Sequence, residues 1–200
     1  TTRFTRDMVH ENQNPGTRCK LALTYAYTAP GILSVFYGSE IAIDGGESPD
    51  NQRFMGFKAD PELIEFITQL GELRQQLPAL TRGDFEVMHS QNDLTVFKRI
   101  YEKETIVIAI NNSDKQQSFA IPEALLEEGK ELRGLQAGDL VRENDGKYQL
   151  VMGRESTEIY ALADKTGINI GYLSAVAAVW VAFSIFIILV MRRSKRKGNE

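Results

Sequence analysis

The apolar residues of this chain follow two different periods, one helical and one extended. Residues 61–77 place apolar side chains on one helical stripe, at Leu63, Ile64, Phe66, Ile67, Leu70, Leu73 and Leu77. From Phe85 onward the pattern becomes alternating, in short runs at 85–90, 94–101, 105–112, 117–122, 147–152 and 156–163. The chain is therefore predicted to be helical first and antiparallel β afterwards.

The helical part also contains a short apolar run at 32–37, which leads into a polar loop. The run is too short for a helix, so we interpret it as a strand buried on both faces, as parallel strands are. A loop is predicted at 1–15 and helices on either side of the strand, the second of them capped by Asp60 and begun by Pro61. This order is typical of a βα barrel, so residues 1–80 are predicted to be the C-terminal end of a (β/α)8 TIM barrel.

Residues 81–163 are predicted to form an antiparallel β-sandwich of ordinary small-domain size. Three of the alternating runs each align apolar side chains on one face, at Phe85 and Val87, at Ile106, Ile108 and Ile110, and at Tyr148, Leu150 and Met152. Polar, turn-like pieces separate the runs, which favours antiparallel neighbours. The segment 122–129 is predicted to be a short helical or irregular crossing.

A long apolar segment follows the β region at 168–191, with Asn169 as its one strongly polar side chain. About 20 apolar residues cross a bilayer as a helix, so 164–191 is predicted to be a linker and a transmembrane helix. The tail at 192–200 has five basic residues and one acid, a net charge of +4. The positive-inside rule then predicts a single-pass protein of the cell membrane, with a cytoplasmic tail and an extracytoplasmic body. A buried core helix is the alternative, and the length of the segment without charges disfavours it.

Charge and composition narrow the function further. The whole chain carries a formal charge of −4 and the tail +4, which leaves −8 on the body and argues against nucleic-acid binding. The single Cys19 excludes an internal disulfide, and its apolar helical setting favours a buried thiol over a nucleophile. His10 and His89 have no metal-ligand spacing around them and are predicted to be surface residues.

The stretch GILSVFYGSE resembles the final barrel strand of the α-amylase family of glycoside hydrolases, usually written Gly-x-Pro-x-x-x-x-Gly-x-Glu. Its glycines fall at Gly31 and Gly38 and its acid at Glu40, while Leu33 stands in place of the usual Pro. The start, TTRFTRD, is similar to the segment directly after the family's Asn-His-Asp signature, past the seventh strand. The resemblance therefore implies that the third catalytic carboxylate lies directly before Thr1.

The loop DGGESPDNQR resembles the substrate-side loop of neopullulanase and bacterial amylase relatives, in which Asp-Pro-Asp and arginines contact glucose units. Ser48 and Gln52 depart from that pattern. The candidate substrate-binding residues are Arg3, Tyr37, Glu40, Asp50 and Arg53.

Each candidate has a plainer alternative. Arg3 could be a solvated loop arginine, Tyr37 a core aromatic, and Asp50 an ordinary turn residue after Pro49. For Glu40 we favour a structural role at the strand end, paired with a neighbouring arginine.

The resemblance implies retaining hydrolysis or transfer at the α-1,4 linkages of glucans such as starch and maltodextrins. Two carboxylates about 5 Å apart perform that reaction, and by the family pattern both precede Thr1. No catalytic residue is therefore assigned, and the chain alone is expected to be inactive. The resemblance implies no cofactor within these residues and allows a calcium ion in the complete enzyme. A membrane anchor after the sandwich resembles some bacterial surface amylases.

Two other functional classes remain as alternatives. One is a non-catalytic, membrane-anchored surface protein that binds glycans or partners through the sandwich. The other is the heavy subunit of amino-acid transporters, which shares the amylase fold without its activity. In that subunit the span precedes the barrel, whereas the apolar segment here follows the sandwich, so we rank this alternative low.

Overall fold

A computed structural model describes residues 2–56, 61–165 and 170–197 of the chain. Two compact units are formed, Thr1–Asp164 and Lys165–Glu200. The predicted cap Asp60 lies outside the described residues. The predicted boundary between residues 80 and 81 falls inside a short helix of the first unit, and that division stays a prediction.

The first unit begins with four helices. They are α1 Phe4–His10, α2 Pro15–Thr28, α3 Pro61–Gln76 and α4 Pro78–Arg82. Helix α2 starts sharply because the Asn14 side chain accepts a hydrogen bond from the Thr17 N–H (3.0 Å) and Pro15 occupies its first turn. The loop predicted over 1–15 is wrong for α1, whose N-terminus has no side-chain cap that would mark it in the sequence.

The strand predicted at 32–37 does not form. These residues have no regular secondary structure, and the Ile32 side chain is fully exposed. A strand requires neighbours whose N–H and C=O groups pair with its own, and the described residues place none beside this run. The described part of 1–80 therefore shows helices and loops but no barrel strand.

Eight antiparallel strands follow. They are β1 Asp84–Gln91, β2 Leu94–Tyr101, β3 Glu104–Asn111, β4 Gln117–Pro122, β5 Lys130–Gly134, β6 Leu140–Asn144, β7 Lys147–Met152 and β8 Ser156–Asp164. Their order in the sheet is β1-β2-β3-β8-β5-β6-β7-β4. The antiparallel β prediction is confirmed, and a 3-10 turn at Glu123–Leu125 occupies the predicted crossing. Strands β5 and β6 were not predicted.

The strands form a single barrel-like sheet, which corrects the predicted two-sheet sandwich. Its terminal strands β1 and β4 meet through the rings of His89 and Phe119, which stack with centroids 4.4 Å apart. The Gln117 side chain on β4 also donates a hydrogen bond to the Asn92 carbonyl beyond β1. His89 is consequently half-buried, whereas His10 is exposed, so the surface prediction is confirmed for His10 and holds in part for His89.

Two apolar clusters lie on opposite faces of the central strands. On one face, Ile106 and Ile108 of β3 pack with the helices, including Leu63 and Leu70 of α3. On the other face, Val107 and its β-domain neighbours form the barrel interior, with Ala109, Ile121, Leu132, Tyr148, Leu150 and Tyr160. Strand β3 is therefore covered on both faces: one face packs against the helices and the other belongs to the barrel interior.

Buried arginines strengthen the junction between the helices and the sheet. Arg99 on β2 is 1% exposed and donates to the Thr28 carbonyl (2.5 Å) at the end of α2 and to the Gly83 carbonyl (2.8 Å). Arg18 on α2 forms an ion pair with Glu155 (2.9 Å) in the turn before β8. These contacts hold α2, and the loop that follows it, against the β domain.

The second unit contains helix α5, Ile170–Lys197. Apolar side chains along its middle are exposed, among them Val179, Trp180 and Phe186. Within the described parts of the chain, no helix reaches the combined length and apolarity that a membrane crossing needs. The predicted span at 168–191 begins outside the described residues.

Candidate functional site

The segment at 38–56, which we call the polar loop, is shaped by close backbone approaches. Gly38 has a left-handed φ of 82°, and its carbonyl accepts a hydrogen bond from the Ile43 N–H (2.9 Å). A Cβ at Gly45 would lie 2.7 Å from the Asp50 carbonyl oxygen, so only glycine fits where the loop folds back. These approaches bring the two halves of the polar loop together and place its charged side chains side by side.

Four charged residues then form an alternating group, which we call the charge cluster: Arg6, Asp44, Arg53 and Asp50. Arg6 on α1 binds both carboxylate oxygens of Asp44 at 2.7 Å. Arg53 contacts Asp44 (3.1 Å) and donates twice to Asp50 (2.6 and 2.9 Å). The Gly46 N–H donates to Asp50 (2.6 Å), and Arg6 lies 3.6 Å from the same carboxylate.

The charge cluster keeps its members ionised. The hydrogen bonds from Arg6 hold the pKa of Asp44 below its usual value, and those from Arg53 do the same for Asp50. The same contacts raise the pKa of both arginines. Asp44, Asp50 and Arg53 are each more than two-fifths exposed. The cluster therefore offers solvent both hydrogen-bond donors and acceptors in fixed positions.

Arg3 is buried beneath the polar loop. Its backbone N–H donates to Gly45 (2.9 Å), and its side chain donates to the carbonyls of Asn51 (2.7 Å) and Tyr37 (3.0 Å). Its guanidinium also lies over the Phe36 ring, 4.6 Å from the centroid. With 9% of its surface exposed, Arg3 is not the solvated loop arginine of the alternative interpretation.

Tyr37 and Glu40 differ in their surroundings. The Tyr37 hydroxyl donates to the Arg53 carbonyl (2.9 Å) while 41% of the residue is exposed, so it is not a core aromatic. Glu40 is half-buried on a short 3-10 turn, and no described residue pairs with its carboxylate. The structure thus joins Arg3, Tyr37, Asp50 and Arg53 in one contact network and leaves Glu40 outside it.

Two residues of the charge cluster, Arg6 and Asp44, were missed by the sequence analysis. Asp44 is the first residue of the loop DGGESPDNQR, so the sequence already shows a carboxylate at this end of the loop. Arg6 was assigned to a loop because α1 was not predicted. A clearer signal would have been that α1 places Arg6 one helical turn after Arg3, where both can face the same loop.

A cavity of about 420 Å³ lies between α2 and the polar loop. Its walls are mainly apolar and include Cys19, Phe36 and Ile43, with Arg3 at one side. Cys19 is buried as predicted, and burial raises the pKa of its thiol, which disfavours a nucleophilic role. Within 2–56, 61–165 and 170–197, no three His, Cys, Asp or Glu side chains converge as a metal site requires.

Comparison with a family model identifies the β domain. Residues 83–160 match the family described as the alpha-amylase C-terminal domain. Among curated relatives, a cyclomaltodextrinase of Thermoanaerobacter pseudethanolicus is 32% identical over 57% of this chain and 20% of its own length. An amylopullulanase of Thermoanaerobacter thermohydrosulfuricus is 27% identical over 84% of this chain and 13% of its own length. The chain thus spans a fifth or less of these relatives.

Two solved structures resemble the chain over most of its length. An Anoxybacillus α-amylase is 57% identical over 84% of this chain and 37% of its own, with a TM-score of 0.81. The α-amylase of Geobacillus thermoleovorans, solved with acarbose, is 48% identical over 83% of this chain and 37% of its own, with a TM-score of 0.80. Both likenesses cover much more of the chain than the matched domain alone.

Proposed function

We propose that this chain is part of a glycoside hydrolase that acts on α-1,4-glucans such as starch and maltodextrins. Residues 83–160 match the alpha-amylase C-terminal domain family, which supports this proposal. The observation that carries the proposal is the likeness to the Anoxybacillus α-amylase, which covers 84% of the chain. Such coverage includes helices and loop residues outside the matched domain, where the charge cluster lies. The proposal therefore concerns the whole enzyme and not only its β domain.

The reaction we propose is retaining hydrolysis. One carboxylate attacks the anomeric carbon while a carboxylic acid protonates the leaving oxygen, and water then releases the glycosyl-enzyme intermediate. The chain spans little more than a third of either solved relative, and we assign this carboxylate pair to the remainder of a longer protein. In the same way, we propose that the 32–37 run becomes a barrel strand beside neighbours supplied by that remainder.

The polar loop supports a role in holding the glucan. Carboxylates accept hydrogen bonds from vicinal sugar hydroxyls, and guanidinium N–H groups donate to them. Asp50 and Arg53 offer both, and the Arg53 side chain is 44% exposed although three of its five N–H groups already contact carboxylates. Tyr37 adds a partly exposed ring beside them, fixed by its hydroxyl. We assign Asp50, Arg53 and Tyr37 to substrate contact and Arg3 to supporting the loop that carries them.

We also propose that the apolar segment 168–191, which begins before the described residues of α5, anchors the protein in a bacterial cell membrane, with the body outside and the tail in the cytoplasm. The exposed apolar side chains along the middle of α5 support this, since they are suited to lipid. The Ser184 hydroxyl donates to the Trp180 carbonyl (2.8 Å), so the helix satisfies that polar group internally. Protease added outside intact cells should digest the body and spare the tail, and protection of the body would overturn this orientation.

A second candidate function is a non-catalytic surface protein that binds glycans. The same exposed donors and acceptors of the charge cluster favour it, because they bind sugar without requiring a catalytic pair. The two candidates differ in what is joined to the chain. The enzyme requires an Asn-His-Asp sequence directly before Thr1 and an Asp and a Glu on earlier strands, whereas the glycan-binding protein requires neither.

The experiment that tests the enzyme proposal extends the chain with the sequence encoded before Thr1. The extended protein should release reducing sugar from starch, whereas the 200-residue chain should release none. A stop codon or an unrelated domain at that position would overturn the proposal. Starch hydrolysis by the 200-residue chain would overturn the assignment of the carboxylates to the remainder of a longer protein.

A further inference from the structure

Arg6 stands at one end of the charge cluster and comes from a different element than its partners. It lies on α1, 38 residues before Asp44 in the sequence. Its Nε donates to Asp44 Oδ1 and its Nη2 donates to Asp44 Oδ2, each at 2.7 Å. Two parallel hydrogen bonds of this kind fix both the position and the rotation of a carboxylate. Arg6 thus anchors Asp44 to a helix, so that Asp44 is not held by its own loop alone.

Asp44, held in this way by Arg6, in turn fixes the position of the Arg53 side chain. The same Oδ2 atom that accepts from Arg6 accepts from Arg53 Nη1 at 3.1 Å. The two arginines repel one another, and the shared carboxylate between them offsets that repulsion. Arg53 is therefore held at one edge by Asp44, while its other edge, Nε and Nη2, is directed at Asp50 (2.6 and 2.9 Å).

The orientation of Asp50 is fixed by Arg53 and by the backbone of the polar loop. Its Oδ2 accepts from the Gly46 N–H (2.6 Å) as well as from Arg53, and Arg6 Nη2 lies 3.6 Å away. Both side chains that we assign to glucan contact are thus oriented by a group that itself starts at α1. Removal of Arg6 would leave Asp44 without its paired donor, and Asp44 would then compete with Asp50 for Arg53.

We infer that Arg6 is a positioning residue for α-glucan binding: through Asp44 it sets the orientation of Arg53 and, through Arg53, that of Asp50. The inference rests on the proposed function, since it requires that Asp50 and Arg53 contact the glucan. Arg6 itself need not touch the sugar. Its effect should appear in the geometry of the Arg53–Asp50 pair before any ligand is added.

The test uses the 200-residue chain with three single variants. Arg6→Gln removes the charge and the paired donors, and Arg6→Lys keeps the charge but offers a point donor instead of a fork. Arg82→Gln is the matched control, because Arg82 is an exposed arginine on α4 that makes no ion pair within the described residues. The readouts are the Arg53 Nε–Hε resonance, the carboxyl titration of Asp50 and the dissociation constant for maltotriose.

Arg6→Gln should shift the Arg53 resonance, raise the apparent pKa of Asp50 and weaken maltotriose binding about three- to fivefold, the scale of a partly exposed charge pair. Arg6→Lys should fall between wild type and Arg6→Gln, and Arg82→Gln should match wild type. A merely structural role would lower the melting temperature and leave the Arg53 resonance of the folded protein unchanged. The Asp50 titration separates the charge of Arg6 from its geometry only in Arg6→Lys, because Arg6 Nη2 itself lies 3.6 Å from the Asp50 carboxylate and Arg6→Gln removes that charge.

The outcomes separate this inference from the proposed function. Unchanged Arg53 signals in folded Arg6→Gln and Arg6→Lys would overturn the positioning role, even if wild type binds maltotriose. If those signals move but wild-type protein binds no maltotriose, the glucan-binding role of the loop is overturned while the coupling from Arg6 to Asp50 is supported. If Arg6→Gln does not fold, Arg6→Lys decides, since its point donor should still alter the Arg53 resonance.

Discussion

Two runs of this chain, β3 and residues 32–37, are both rich in apolar residues, but only β3 forms a strand. Seven of the eight residues of β3 are buried, and its backbone pairs with β2 on one side and β8 on the other. Residues 32–37 form no strand; Ile32 is fully exposed and Phe36 is 60% exposed. The difference lies in the neighbours: β3 finds one across a short turn, whereas a parallel strand requires partners from distant parts of a chain. An apolar run becomes a strand only where such partners exist.

Hydrogen exchange should show the largest difference between the two runs. The N–H groups of 32–37 donate no backbone hydrogen bond within the described residues, whereas those of β3 lie in a ladder between two strands. Exchange in β3 therefore requires opening of the core, and exchange in 32–37 does not. Mass spectrometry of exchanged peptides should give rates at least about a thousandfold faster for 32–37. Equal protection of the two runs would contradict the comparison, because 32–37 would then need hydrogen-bonding partners of its own.

A matched pair of substitutions tests the same comparison by stability. Ile108→Ala removes a fully buried side chain of β3, and Ile32→Ala removes a fully exposed one. The first should lower the free energy of unfolding by about 3 kcal/mol, through lost apolar burial and the cavity left behind. The second should change it by less than about 0.5 kcal/mol. Urea unfolding followed by circular dichroism measures both, and a loss above about 1 kcal/mol for Ile32→Ala would show that this side chain is packed.

The contrast also explains which strands could be predicted from sequence. The strands that were found are short runs rich in β-branched and aromatic residues, separated by turn-like pieces, so local pattern sufficed. Strand β5 was missed because Glu131, 0% exposed, occupies a core position that the pattern requires to be apolar. Arg133 and Arg142 neutralise it at 2.9 and 3.2 Å, and the second of these lies on β6, the other missed strand. Ion pairs between strands cannot be read from either strand alone.

The candidate site was predictable in its residue types and not in its pairings. The resemblance named Asp50 and Arg53 in the loop and Arg3 near Thr1, and Tyr37 was named because it ends the predicted strand. What the sequence lacked was the distance between Arg6 and Asp44, which depends on an unpredicted helix and on a loop folded back at Gly45. Contacts across tens of residues arise from tertiary packing, and no local pattern records them.

The β domain and the charge cluster should contribute stability that changes with pH in opposite directions. Burial raises the pKa of Glu158 on β8, although the backbone N–H groups of Gln136 and Ala137 oppose this. Its unfolded form loses a proton first as pH rises, so the stability that Glu158 contributes is lost between its ordinary and its folded-state pKa. Asp44 in the charge cluster has a lowered pKa, so its contribution is present above the ordinary value and is lost as pH falls through the folded-state value.

This smallest effect can be isolated with Glu158→Gln and Asp44→Asn. Above the ordinary glutamate pKa of 4.5, wild-type stability should decline with rising pH more steeply than that of Glu158→Gln, because the glutamine has no proton to release. Below the ordinary aspartate pKa of 3.8, wild type should lose stability with falling pH more steeply than Asp44→Asn. Urea unfolding across a pH series measures both slopes. Each variant serves as the control for the other, since each should alter only one of the two slopes and leave the other slope as in wild type. A variant that changed both slopes equally would show that the polar loop and the β domain do not titrate independently.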